Sequence, residues 1–183
     1  MRKIVLKFGL ISGVLSSTLM LITLPFQHKI GLNSALIVGY TTIVASFLLV
    51  YFGIRSYRNN AVGGKISFGR AFAVGISITL VTCVFYVATW EVMYFFFMPD
   101  FMDQYSASVI KQARAAGASE ATIQAKTLEL QKSAAAYKNP LVNVAMTFIE
   151  PFPVGLLITL ISAAVLRRKG DQETATAALS ASS

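Results

Sequence analysis

The stretch AFAVGISITLVTCVFYVATWEVMYFFFM, residues 71–98, holds a single charged side chain, Glu91. At 1.5 Å per residue a helix this long exceeds a hydrocarbon layer of about 30 Å, so it predicts a membrane span that tilts or projects past the surface. Trp90, Tyr94 and Phe95 to Phe97 crowd its far end, where the aromatic belt of a span falls. Pro99 closes it.

Working outward, three further apolar runs complete a four-span pattern. Phe8 to Leu24 follows Arg2, Lys3 and Lys7, the opening of a secretory signal peptide as well as of a retained helix; it ends in Thr23-Leu24-Pro25-Phe26 without a small-x-small cleavage site, so a retained helix is expected. Ala35 to Ile54 stops at Arg55, and the stretch from Arg55 to Arg70, with Asn59-Asn60 and Gly63-Gly64, reads as a charged turn. Leu141 to Leu166 ends at Arg167, Arg168 and Lys169. The expected fold is an all-α membrane protein with helices at about 4–24, 34–54, 68–98 and 141–166. An outer helical hairpin is expected in the connector 99–140, and a disordered cytoplasmic tail at 170–183.

Composition agrees with lipid as the solvent. Of 183 residues 55% are hydrophobic and 13% charged, about half the usual charged share of a soluble domain. The net charge of +8 does not indicate nucleic acid, because ten of the sixteen basic residues flank predicted span ends on one side and form no continuous basic face. That asymmetry predicts cytoplasmic N- and C-termini. The lone Cys83 offers no disulfide or metal cluster, and the lone His28 sits in a short turn. No cofactor or metal is expected.

In the connector, Met98, Phe101, Met102, Tyr105, Val109 and Ile110 recur at helical spacing up to Gly117. Ser119 then caps a second stretch, where Ile123, Thr127, Leu130, Ala134 and Tyr137 form an apolar stripe opposite Glu120, Lys126, Glu129 and Lys132. Such a pair of helices would cover the outer mouth of the bundle or bind a partner.

The candidate functional residues are Glu150 and Glu91, with Tyr40 at a similar depth. Ionisable residues inside spans are default candidates for proton relays or cation sites. Pro151 and Pro153 follow Glu150 and withhold backbone donors, which predicts a kink or an unwound turn. Gly9, Gly13 and Gly155 are candidates for close helix packing. No phosphate loop, nucleophile elbow or metal-ligand spacing occurs, so no catalytic residue is assigned.

The fourth span supplies a likeness as well. Asn139-Pro140-Leu141, Phe148-Ile149-Glu150-Pro151-Phe152, Val154-Gly155-Leu156-Leu157, Leu160-Ile161-Ser162-Ala163-Ala164 and Arg167-Arg168-Lys169, with Lys65-Ile66-Ser67-Phe68-Gly69 and Pro99-Asp100-Phe101 around the third, resemble the bacterial membrane-protein family labelled domain of unknown function 4199, found largely in Bacteroidetes. The resemblance spans about residues 4 to 169. It implies a four-helix inner-membrane protein and supplies no catalytic residue.

Two functions compete. One is a non-enzymatic structural or partner-binding membrane component, its partner a second copy or another membrane protein. The alternative is a proton- or cation-coupled small-solute transporter or channel subunit using Glu150 and Glu91. A membrane enzyme is a weaker third, requiring a lateral cavity converging on Glu150, Glu91 and Tyr40.

Overall fold

A computed structural model describes residues 1–24 and 32–167, and the regular elements there are all helices. They are α1 (Arg2–Thr23), α2 (Leu32–Ala61), α3 (Phe68–Val92), α4 (Phe101–Ala115), α5 (Glu120–Tyr137), α6 (Pro140–Ile149) and α7 (Pro151–Leu166). Four stretches are long and apolar enough to cross a membrane: Arg2–Thr23, Asn33–Ala61, Phe68–Phe97 and Pro140–Leu166. The expected all-α, four-span class is found. His28, Lys29, Arg168, Lys169 and the tail 170–183 lie outside the described residues.

One boundary differs. The charged turn expected from Arg55 to Arg70 is helix as far as Ala61, because the buried stripe does not stop at Arg55: Phe47, Val50, Ile54 and Tyr57 all face the core at helical spacing. Arg55 and Arg58 ride on this helix, and Arg58 Nη1 donates to the Leu166 carbonyl at 3.5 Å, at the end of α7. A backbone bond from Gly64 N to Arg58 O at 2.8 Å closes α2, with Gly63 and Gly64 at positive φ, as helix-ending turns require. Ile66 returns to the core, and the Ser67 hydroxyl accepts from Arg70 N to start α3.

In the bundle, α1 and the fourth span (α6 with α7) occupy opposite corners, while α2 and α3 meet between them. Small residues permit these approaches. A Cβ added to Gly9 would lie 2.8 Å from Val81, and one at Gly13 would lie 2.6 Å from Phe85, so both glycines seat α1 directly on α3. Gly155 seats α7 on both partners: its added Cβ would lie 2.5 Å from Thr79 Cγ2 and 2.7 Å from Phe47.

Hydroxyls cross-link the same seams. Thr79 and Thr159 share a bond of 3.0 Å, Ser17 and Thr89 one of 2.7 Å, and Ser12 donates to the Ser46 carbonyl at 2.8 Å. Such bonds contribute roughly 0.6 kcal/mol each between membrane helices, so they set register more than they set stability. The outward faces are apolar: Ile37, Val84 and Val165 each leave over 60% of their surface uncovered, as a lipid solvent permits.

Beyond Val92 the third span widens into a π-helical turn, Met93–Phe97, closed by Met98 N to Met93 O at 2.8 Å. The wider turn puts Tyr94 inside while Phe96 and Phe97 stay outside. Helices α4 and α5 follow, reversing at Gly117, whose φ is +77°, and packing on each other. Their inner sides carry Met102, Val109 and Ile123. A 3.1 Å bond from Gln112 to Asn33 ties α4 to the start of α2. The bundle thus has a connector end, under α4 and α5, and a basic end, with Arg55, Arg58, Lys65 and Arg70.

Candidate functional site

The fourth span breaks at Glu150: α6 ends at Ile149 and α7 begins at Pro151. Proline at 151 and 153 cannot supply the N–H groups that a continuous helix would direct to the carbonyls of Thr147 and Ile149. Pro151 is buried in the bundle and Pro153 is exposed. The break turns Glu150 toward α3, where Tyr86 Oη donates to Glu150 Oε2 at 2.9 Å.

About two turns toward the connector, Asn143 is fully buried. Its Oδ1 accepts from Trp90 Nε1 at 3.0 Å and from the Thr147 hydroxyl at 3.1 Å, while its Nδ2 donates to the Tyr137 carbonyl at 3.3 Å. One amide therefore joins α3, α6 and the end of α5. A buried amide with its polar atoms engaged rigidifies its surroundings; losing a partner would leave desolvated groups behind.

Between the span ends and α4 and α5 lies a cavity of about 420 Å³, within the range of small-molecule pockets. Tyr86, Trp90, Phe101, Tyr105, Tyr137 and Glu150 line it, with Met20, Leu36 and Met146 among the apolar contacts. The aromatics support one another: Trp90 and Phe101 meet edge to face at 4.8 Å, and Phe101 and Tyr105 stack at 6.2 Å. Burial pushes the Tyr137 phenol above its ordinary pKa, and the nearby Glu150 carboxyl adds to the shift, so Tyr137 stays neutral.

The other sequence candidates fall elsewhere. Glu91 is not among the cavity's lining residues; five positions from Tyr86 it faces about 140° around the helix, and its buried Oε1 has no hydrogen-bond partner among the described residues. The two carboxyls therefore do not converge. Tyr40 is 47% exposed on an open surface with Leu36, Ile37, Thr41 and Val44. Gly9, Gly13 and Gly155 belong to the helix seams described above. Among the described residues, no three His, Cys, Asp or Glu side chains stand close enough to hold a metal ion.

Sequence reading missed Asn143, Tyr86 and Tyr137. The one available signal was a lone amide, Asn143, inside an apolar run, since a buried amide in a span needs partners. No curated protein and no solved structure matches the chain. A family model does match, over residues 7–168, which takes in most of the first span, the other three spans and both connector helices: the chain belongs to the family described as Protein of unknown function (DUF4199).

Proposed function

We propose that this protein is a non-enzymatic integral membrane component that binds a partner, a second copy or another membrane protein, through its connector helices. The observation that carries the reading is an open groove of about 650 Å³ between α4 and α5, lined by Asp103, Ile110, Lys111, Arg114, Thr127 and Gln131. Charges of both signs around an apolar floor suit a protein surface. The bundle beneath supports binding over conduction, because Phe47, Thr79, Gly155 and Thr159 close on one another below the cavity.

The groove is tested by photo-crosslinking in intact bacterial membranes, with a benzophenone amino acid replacing Ala107 or Gln131. The expected result is a discrete protein adduct from both positions that is lost from a control at lipid-facing Val84. Lipid adducts alone would remove the reading. The basic flanks support cytoplasmic termini in a bacterial inner membrane. A periplasm-dependent phosphatase fused after Lys169 should then be inactive.

Glu150, held by Tyr86 at the cavity wall, favours a second reading as a proton- or cation-coupled transporter or channel subunit. Proteoliposomes decide between them. Proton flux above that of empty vesicles, abolished by Glu150→Gln, would replace the first reading with the second.

A further inference from the structure

The cavity at the connector end has a chemistry of its own. Five aromatic side chains, Tyr86, Trp90, Phe101, Tyr105 and Tyr137, share its wall with Glu150, and Glu129 stands at its α5 side. Among the described residues, none that lines it is Lys or Arg. Aromatic faces carry negative quadrupole potential, so rings gathered beside carboxyls and away from fixed cations attract positive charge. The remaining wall is hydrocarbon, from Met20, Leu24, Leu36, Met102, Leu130 and Met146. An inorganic cation would leave that wall unused, whereas an ammonium group on an organic body satisfies both surfaces.

The carboxyl is also prepared for such a ligand. Tyr86 occupies Oε2 of Glu150 at 2.9 Å, and no donor among the described residues is recorded on the other oxygen. Trp90 is fixed by its bond to Asn143, so its ring holds its place without a ligand. Aromatic cages of this composition are the established solution for quaternary ammonium recognition.

We propose that the cavity bounded by Tyr86, Trp90, Phe101, Tyr105, Tyr137 and Glu150 is a binding site for an organic ammonium group. The group could belong to a soluble amine or to the headgroup of an amine-bearing phospholipid. Among the described residues this site shares only Leu130 with the groove between α4 and α5, so failure of the crosslinking experiment leaves it untouched.

Trp90 is the only tryptophan in the chain, which makes its fluorescence a direct report on the cavity. Full-length protein in nanodiscs of phosphatidylglycerol is titrated with benzyltrimethylammonium, and in parallel with neutral benzyl alcohol. A saturable change in Trp90 emission with the cation, absent with benzyl alcohol, is expected. Glu150→Gln should weaken it about tenfold, a cost of about 1.4 kcal/mol, because the amide keeps the shape and loses the negative charge. Glu129→Gln, at an exposed position, should weaken it less and guards against a folding defect in the first variant.

A second set of nanodiscs containing phosphatidylethanolamine separates the sources. Competition there, seen as a rightward shift of the titration, assigns the site to the lipid headgroup; an unchanged titration assigns it to a soluble amine. No saturable response in the wild-type protein, an equal response to benzyl alcohol, or indifference to both glutamine substitutions would overturn the proposal.

Discussion

The two ends of the bundle are built on opposite terms. Toward the basic end, glycines and small hydroxyl residues let helices approach until side chains interlock, as at Gly155 against Phe47 and Thr79. Toward the connector end, large aromatics and a broken fourth span hold the helices apart, and a cavity of about 420 Å³ remains. The same four helices pass through both regions. What differs is the size of the residues where the fourth span meets its neighbours; α1 stays seated on α3 at both levels, at Gly9, at Gly13 and through Ser17 and Thr89. At the looser level a carboxyl and several phenols meet accessible space, with the buried amide of Asn143 behind them.

This contrast can be broken first at its tight end. Gly155→Ala places a methyl 2.5 Å from Thr79 and should cost about 1–3 kcal/mol through overpacking, with Gly155→Val preventing assembly of the fourth span. The check is unfolding in mixed detergent followed by Trp90 emission. Gly69→Ala is the matched control: nothing lies within 4 Å of the added carbon, and the change should stay within about 0.5 kcal/mol. Equal effects at the two glycines would mean that the seam does not exist.

At the loose end the largest effect belongs to Asn143. Replacement by Leu leaves Trp90 Nε1, the Thr147 hydroxyl and the Tyr137 carbonyl without their partner, and should cost about 1–3 kcal/mol. It should also shift Trp90 emission in the folded protein, because the indole loses its acceptor. Gly155→Ala should leave the folded-state emission alone. That difference distinguishes a local polar anchor from general destabilisation.

The sequence exposes these two ends unequally, for a physical reason. The spans were legible because hydrophobic transfer is additive along a run, and Phe68–Phe97 or Pro140–Leu166 declare themselves by length and composition. The break beside Glu150 was legible too, since the missing N–H groups of Pro151 and Pro153 are covalent facts. The end of α2 is less legible, because the charge at Arg55 suggests a stop while the buried stripe through Ile54 and Tyr57 carries the helix on to Ala61. The convergence at the cavity was out of reach. Whether Tyr86 or Glu91 meets the fourth span depends on the rotation of α3, which is fixed by contacts at Gly155, Thr79 and Thr159 far along the helix.

A smaller effect is expected for the bond that closes the cavity wall. Tyr86→Phe removes one hydroxyl and should cost about 0.5–1.5 kcal/mol. In a double-mutant cycle with Glu150→Gln the two costs should fall short of additivity, because each substitution removes or weakens the same bond. Strict additivity would mean that Tyr86 and Glu150 do not interact in the membrane.

The smallest effect, and the one of opposite sign, belongs to Glu91. Its buried Oε1 has no hydrogen-bond partner among the described residues and lies on a face of α3 turned away from Tyr86 and the cavity. A desolvated carboxyl oxygen opposes folding, so an apolar side chain of similar length should be tolerated or gain up to about 1 kcal/mol. Glu91→Leu is therefore expected to unfold no earlier than the wild type and to leave the ammonium titration of Trp90 unchanged. The second readout matters more. If Glu91→Leu weakens ammonium binding as much as Glu150→Gln does, the two carboxyls act on one ligand, and the division of α3 into a cavity face and an idle face is wrong.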